Sequence, residues 1–320
     1  MNKPKFDSKM GWLLILPLAV ILVSGCVGGG GSTVSGNGIV ITKFEPTLKN
    51  IQSGERVALH LEVQNQGGTI GKAAAKIIGL YTQDWSVYQT EQTGGELLPA
   101  DTTAGTEGQI WSADWQLTAP DLNRGEKRTY DAIARVFYSY ETRVMKPIAF
   151  VTSEELRRII QNGESLQSDP AIVSSGPISV IVKMGQYVMS RDDWQQSYFP
   201  VEIDLTNTGG GLVAGENYPI GVDITAPPGT MFRGECPRAS QAEWTGGSFG
   251  TSVPSGLSRP VSPKTIFMWN GKDTKITCEL KVITPPDARQ KRDMTIKLSY
   301  IYYVDKTTQI TVTGTKEWGF

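Results

Sequence analysis

Histidine is almost missing from this sequence, which has only His60 among its 320 residues. Metal sites usually need several converging histidine, cysteine or carboxylate ligands, and none cluster near His60 in the sequence. Gly246-Gly247-Ser248-Phe249-Gly250 fits the G-x-S-x-G pattern of serine hydrolases, but that chemistry needs a histidine later in the chain, and none follows Ser248. We therefore expect no enzymatic activity, no catalytic residue, no metal and no cofactor.

An excess of either charge is also missing. The 31 basic and 32 acidic residues leave a net charge of -1, without a stripe of one sign. Nucleic-acid binding depends on clustered lysine and arginine, so we expect no nucleic-acid partner. Asp192, Asp193 and Asp204 lack the D-x-D-x-D-G spacing of a calcium loop, and calcium binding there is kept only as an alternative.

No apolar run in the sequence is long enough to cross a membrane. Residues 12–23 form an uncharged run that reaches about 18 Å, against about 30 Å for the hydrocarbon core, and Pro17 interrupts it. Lys3, Lys5 and Lys9 precede the run and small residues follow it, which is the order of an export signal. We predict that residues 1–25 are a signal peptide.

The end of this segment carries a lipidation pattern. Val23-Ser24-Gly25-Cys26 resembles a bacterial lipobox, and the glycines after Cys26 resemble the same site in archaeal lipoproteins. The resemblance implies that the Cys26 thiol receives a diacylglyceryl group, so membrane lipid becomes a partner and the protein lies on the extracytoplasmic face of the cell membrane. Residues 26–38 are then a lipidated cysteine and a flexible Gly/Ser linker. An ordinary signal peptide and an uncleaved signal anchor stay open as alternatives.

Cysteine is scarce as well, and the assignment of Cys26 to lipid leaves two residues, Cys236 and Cys278, with one pairing between them. In an oxidising compartment we predict that they form a disulfide, which would stabilise the fold by about 4 kcal/mol in the chain-entropy model. The alternative is a pair of unrelated buried thiols.

Apolar and polar residues alternate along most of the remaining chain. In residues 56–64 the aliphatic side chains recur at every second position, with His60 on the opposite, polar face, where we expect a solvated imidazole. Further strands are predicted at residues 73–81, 109–117, 128–141 and 142–151, with long loops over residues 83–107. Thr152-Ser153-Glu154-Glu155 has the form of a capping box and predicts a short helix that ends at Gln161.

The second half of the sequence repeats landmarks of the first. Residues 205–210 (LTNTGG) match residues 63–68 (VQNQGG), and residues 282–287 match 117–121, each followed by a basic turn and a long aromatic strand. The growing offset between the copies indicates an insertion at residues 230–262. We predict an all-β protein with two tandem antiparallel β-sandwich domains, residues 39–161 and 178–320, joined by a linker at residues 162–177.

These repeated motifs also carry a family resemblance. Residues 61–67 and 203–209 have the order hydrophobic-x-hydrophobic-x-N-x-G and lead into an N-x-G-G turn. This pattern resembles the CARDB-type, immunoglobulin-like modules of archaeal and bacterial surface proteins. The resemblance implies immunoglobulin-like sandwiches with a structural or ligand-presenting role and no catalytic residues.

Tryptophan residues are the remaining candidates for a binding site. Loops and strands of the two predicted domains hold Trp85, Trp111, Trp115, Trp194 and Trp244. Their flat rings could form a platform for a glycan or protein partner in the envelope, since aromatic rings stack and lose little side-chain entropy. The alternative is that most of them plug the ends of the sandwiches.

Together these features predict a non-enzymatic, lipid-anchored cell-surface protein that acts as an adhesion, binding or envelope-scaffold module. The alternative is an accessory subunit of a membrane-bound envelope enzyme or transporter complex. The sequence identifies neither the ligand nor the oligomeric state.

Overall fold

The computed structural model describes residues 37–80, 84–101, 103–190, 198–238, 253–254, 256–257 and 264–316. Almost all of the regular structure in these residues is β, in antiparallel sheets, which confirms the predicted fold class. The strands of the first half are β1 (Ile39–Pro46), β2 (Asn50–Gln52), β3 (Arg56–Asn65), β4 (Gly71–Ile78), β5 (Ser86–Val87), β6 (Glu91–Leu97), β7 (Ile110–Thr118) and β8 (Lys127–Thr152). Those of the second half are β9 (Ile172–Val173), β10 (Ile178–Lys183), β11 (Val188–Ser190), β12 (Tyr198–Asn207), β13 (Leu212–Val213), β14 (Pro219–Thr225), β15 (Thr230–Phe232), β16 (Lys264–Phe267), β17 (Asp273–Val282) and β18 (Arg289–Thr313).

The alternation in the sequence becomes burial in the structure. Along β3, Val57, Leu59, Leu61 and Val63 are almost fully buried, while the residues between them are partly exposed. Side chains of a strand point to opposite faces in turn, so this period of two turns one face of the strand inward. The same pattern recurs in β12.

Three sheets form the protein. One four-stranded sheet has the order β1-β3-β7-β5, a second has the order β10-β12-β17-β15, and a long sheet has the central order β16-β14-β18-β8-β4-β6. Strand β1 contacts both β8 and β18, and β10 contacts β8, so the two small sheets lie against the long one. Buried side chains from all three sheets belong to one continuous core.

Strands β8 and β18 join the two halves of the chain. All 25 residues of β18 pair with β8 in an unbroken antiparallel register, from Arg289 opposite Val151 to Thr313 opposite Lys127. Each half therefore contributes a strand that continues into the sheet of the other half. The predicted linker, residues 162–177, connects the two halves covalently. The halves are also joined by the sheet that β8 and β18 share.

Two predictions of local structure in the first half of the chain were wrong. The sequence predicts separate strands at residues 128–141 and 142–151, whereas the structure has one strand, which pairs with β18 without a break across Thr142. Thr142 is buried, and its hydroxyl lies 2.7 Å from that of Tyr300 on β18. Residues 83–107 were predicted as loops, yet they include β6, which pairs with β4 and forms an edge of the long sheet. In both segments, contacts distant in sequence compensate for polar residues that locally favour loops.

The predicted capping box and helix are present. Helix α1 (Ser153–Gln161) follows β8 directly, and the Thr152 hydroxyl accepts a hydrogen bond from the Glu155 backbone at 3.2 Å. Such a cap stabilises a helix by about 1 kcal/mol. Gly163, with φ of 72°, ends the helix, as glycine commonly does. Within the described part of the chain, no helix is long and apolar enough to span a bilayer.

The predicted disulfide is also present. Cys278 lies on the inward face of β17 and pairs with Cys236, which follows β15, at a Cα–Cα separation of 5.6 Å. Lys264 holds the same loop by donating to Glu235 at 2.9 Å and to the Pro237 carbonyl at 2.8 Å. The start of the predicted insertion is thereby fastened to the second small sheet.

Candidate functional site

Two of the tryptophans predicted to form a ligand platform are core residues. Trp85 and Trp115 are each 1% exposed. The Trp115 indole donates to the Thr90 carbonyl at 3.2 Å, and Trp85 packs edge-on against Tyr130 with 5.4 Å between ring centroids. Neither ring can offer a face to a ligand, so this part of the platform prediction was wrong. The alternative, in which they fill the sandwich, is what the structure shows.

Of the other three predicted platform residues, Trp111 is the one that lies in the described part of the chain. Trp111 is half-buried, and its ring lies over Gly94 of β6, where a Cβ would come within 2.8 Å. Trp194 and Trp244 lie outside the described residues. A platform made of these five side chains therefore has no support among the residues that the structure describes.

Trp269, which the sequence analysis did not single out, is the tryptophan that is 76% exposed. It lies in the turn between β16 and β17, and its backbone amide donates to the Asp273 carbonyl at 2.7 Å. Asn270 and Gly271 follow with φ of 48° and 68°, the left-handed conformation that Asn-Gly favours in tight hairpins. The Asn-Gly pair between two strands was the sequence signal for an exposed turn here.

His60 is held between two carboxylates rather than free in solvent. Its ring nitrogens lie 2.8 Å from Asp114 and 2.9 Å from Glu62, on the outer face of the first small sheet. The hydrogen bond to Glu62 and then that to Asp114 raise the pKa of His60 above its usual 6.5, because both stabilise the imidazolium. This cluster is an ion-pair network on a sheet surface.

The carboxylate considered for calcium is engaged by lysines. Asp204 of β12 lies 2.5 Å from Lys183 and 3.7 Å from Lys275, which also reach Glu202. Asp192, Asp193 and Ser248 lie outside the described residues. The described ranges contain no group of three histidine, cysteine or acidic residues with metal-binding geometry.

The repeated N-x-G-G turn makes the same hydrogen bonds in both copies. Asn65 is fully buried, donates to the carbonyls of Thr69 and Leu97 at 2.9 and 2.8 Å, and accepts from the Gly67 amide at 3.0 Å. In the second copy the Asn207 side chain donates to the carbonyls of residues 211 and 271 at 2.9 and 3.0 Å. An asparagine side chain, fully buried in the first copy and half-buried in the second, therefore fixes this turn in both halves.

Four tyrosines fill the centre of the β8–β18 pair. The rings of Tyr138, Tyr140, Tyr300 and Tyr302 are buried with centroids 5.6–6.4 Å apart. Burial raises the pKa of Tyr302 to about 12 and raises those of the other three as well. These hydroxyls stay protonated at physiological pH, and those of Tyr140 and Tyr302 donate to the Ser175 carbonyl at 2.8 Å and to the Asn207 side-chain oxygen at 2.7 Å.

The outward side of the long sheet is covered at its centre. Phe137, Ile301 and Tyr303 alternate with the central tyrosines, so they face away from the main core. Val253 and Leu257, from the insertion of the second copy, pack against them. Val253 and Leu257 belong to the second half of the chain, whereas Phe137 belongs to β8 of the first half. Their packing adds to the contacts between the halves.

Farther along the same side lies an open apolar groove of about 420 Å³, which we call the Met145 groove. Met145 and Ile172 are its exposed apolar side chains, at 38% and 60% exposure. Its volume lies in the range of small-molecule sites, roughly 300–1,000 Å³. The full lining is Arg143, Val144, Met145, Ile172, Val173, Ser174, Thr295, Ile296 and Lys297.

One end of the Met145 groove carries charge. Glu141 binds Arg143 at 2.5 Å and Lys297 at 2.8 Å. Burial alone would raise the pKa of Glu141, but the hydrogen bonds from Lys297 and Arg143 outweigh it and hold the pKa below its usual range. One carboxylate is thus shared by two cations, which leaves positive charge beside an apolar surface.

Comparisons with known proteins leave the fold description unchanged. No family model matches this chain, and no curated protein sequence matches it. Among solved structures, Escherichia coli alpha-2-macroglobulin activated by porcine elastase is similar over 86% of this chain, with 10% sequence identity and a TM-score of 0.24. The match spans 32% of that chain, about a third of its length. At this TM-score it carries no argument about fold or function.

Proposed function

We propose that this chain is a lipid-anchored protein of the extracytoplasmic membrane face, where its joined β-sandwich halves act without catalysis as a binding or scaffold module. The observation that carries the proposal is the bond between Cys236 and Cys278. Disulfides form and persist in oxidising compartments, which agrees with the export segment and the lipobox-like sequence at Cys26.

The shared sheet supports a scaffold role. Two domains on a flexible linker move independently unless their interface is large and apolar. Here the register of β8 and β18 and the four buried tyrosines hold the halves in one arrangement. A surface that spans both halves is therefore presented to a partner with its geometry already set, which lowers the entropy cost of binding.

One observation favours the second candidate function, an accessory subunit of an envelope complex. Met145 and Ile172 stay exposed in an apolar groove although neighbouring apolar residues on the same side of the sheet are covered. Exposed apolar patches mark interaction sites, and methionine adapts to irregular partners. A protein subunit that inserts an apolar side chain here would account for that exposure.

Anchoring is tested by the mass of the Cys26 peptide and by the location of a Cys26→Ser variant. We expect a diacylglyceryl adduct on the wild-type peptide, cleavage by protease added to intact cells, and release of the variant from the membrane. An unmodified Cys26 in a cytosolic protein that keeps Met1 and has reduced Cys236 and Cys278 would overturn the proposal.

Extraction in mild detergent separates the two candidate functions. The accessory role predicts a stoichiometric membrane complex that the wild type forms and a Met145→Asp variant loses. A scaffold or adhesion module predicts that both proteins are extracted alone or as copies of this chain. Leu48→Asp, at an exposed apolar position in the segment between β1 and β2, is a control for the added charge.

A further inference from the structure

Among the described residues, part of β18 has no paired strand on the side that faces away from β8. Strand β8 occupies one side of β18 over its whole length. On the other side β14 pairs with residues 295–299, β13 with 302–303 and β2 with 311–313. No strand among the described residues pairs with residues 304–310 on that side, which spans about 23 Å at 3.3 Å per residue.

The corresponding edge of β8 is filled. Strand β9 pairs there, with Val173 opposite Val144 and Ile172 opposite Met145, and the Ser174 amide donates to the Arg143 carbonyl at 2.9 Å. Tyr138 and Tyr140 correspond to Tyr300 and Tyr302, so the copies are 162 positions apart in these strands. Residues 143–145 of β8 therefore correspond to residues 305–307 of β18, within the open edge.

A groove of about 180 Å³ runs beside this edge. Val304, Asp305 and Lys306 of β18 form one wall. Asn37 and Gly38, where the description of the chain begins, line the same groove. The residues that precede Asn37 are therefore joined covalently to a segment that lines this groove, so their binding at the edge would not require a second molecule.

The sequence before Asn37 resembles the segment that fills the edge of β8. Gln66 and Thr208 occupy the same place in the two N-x-G-G turns. The Gln66 amide donates to the Gly38 carbonyl at 3.0 Å, and the Thr208 amide donates to the Pro177 carbonyl at 2.9 Å. Gly38 and Pro177 are therefore equivalent positions. Counting back from these positions, residues 33–36 (TVSG) align with residues 172–175 (IVSS). The valine and the serine are identical, and threonine and isoleucine are both β-branched.

We propose that the open edge of β18 is a strand-accepting surface and that residues 33–36 of the same chain are its occupant, antiparallel to residues 304–307. The gap between β13 and β2 is long enough to admit a short extended segment. In both copies, the unpaired amides and carbonyls at the edge of the long strand would then be hydrogen-bonded by the segment that precedes β1 or β10.

This surface sets the reach of the tether, a consequence that rests on the proposed anchoring at Cys26. With residues 33–36 on β18, the free spacer shortens from residues 27–38 to residues 27–32. For a flexible chain the end-to-end distance falls from about 19 Å to about 13 Å.

Hydrogen exchange read by mass spectrometry tests the proposal on the full chain in mild detergent. In overlapping peptides we expect the amides of Asp305 and Thr307, which point away from β8, to be protected in the wild type and to exchange about tenfold faster in Ser35→Pro, because proline removes the donor equivalent to the Ser174 amide. Ser174→Pro is the matched control and should release residues 143–145 but not 304–308. Gly30→Pro, within the spacer, should change neither.

Unprotected amides at Asp305 and Thr307 in the wild type, or equal exchange of these amides in the wild type and Ser35→Pro, would overturn the proposal. Protection that appears only as protein concentration rises would also overturn it, since the occupant would then be a second copy. The Cys26→Ser variant separates this test from anchoring. Strand addition predicts unchanged protection in that variant, whether or not the wild type carries lipid.

Discussion

Replacing Asn65 by alanine should destabilise the protein more than any other single polar substitution in the first N-x-G-G turn. The Asn65 side chain is fully buried and makes three hydrogen bonds at 2.8–3.0 Å. Its removal leaves two carbonyls and one amide without their partner. Hydrogen bonds contribute about 0.5–1.5 kcal/mol each, and stranded buried groups cost more, so we expect a loss of about 2–4 kcal/mol.

Urea denaturation followed by tryptophan fluorescence measures this loss, since Trp85 and Trp115 lie in the same core. Gln66→Ala is the matched control: this neighbour is exposed and should change stability by no more than about 0.5 kcal/mol. Asn207→Ala tests the second copy and should behave like Asn65→Ala. A loss below about 1 kcal/mol for Asn65→Ala, close to that of Gln66→Ala, would refute the assignment of the turn to these hydrogen bonds.

Three further outcomes are expected. Reduction of the Cys236–Cys278 bond should lower the free energy of unfolding by about 4 kcal/mol, and equal denaturation midpoints with and without reductant would contradict it. Folding raises the pKa of His60, so the ion pairs of the protonated imidazole contribute fully to stability below pH 6.5 and contribute less as pH rises through the raised pKa. The difference in free energy of unfolding between the wild type and His60→Gln should therefore shrink as pH rises above 6.5. Gly67→Ala should destabilise strongly because its Cβ would lie 1.8 Å from a buried tyrosine hydroxyl, whereas Gly95→Ala, with open space around it, should not; thermal melts compare them.

Much of the local structure follows from patterns within a few residues of one another. The period of two in β3 and β12 decides which face is buried, and the capping box at Thr152 begins α1 where the sequence predicts it. The disulfide followed from elimination, because one cysteine was assigned to lipid and only one pair was left. Each of these inferences needs no knowledge of the neighbouring strands.

The errors concern contacts between residues distant in sequence. The sequence predicts two strands that meet at residues 141 and 142, but the pairing with β18, about 160 positions away in the chain, runs through this point and makes β8 one continuous strand. Trp85 and Trp115 appear in segments rich in polar residues, and only the packing of the first small sheet against the long one shows that they are buried. For the same reason the Met145 groove was not predicted: it forms where β9 meets β8 and β18.

The pairing of β8 with β18 makes a prediction about cooperativity. Leu61 and Ile203 occupy equivalent positions in β3 and β12, and both are fully buried. Truncation to alanine should cost about 2–5 kcal/mol at either site. Because the halves share a sheet and a continuous core, we expect calorimetry of the wild type to show one transition, and Leu61→Ala and Ile203→Ala each to shift that whole transition. Independent sandwiches would instead give two transitions, of which each variant lowers only its own, and that result would mean that the long strands connect the halves without coupling their stability.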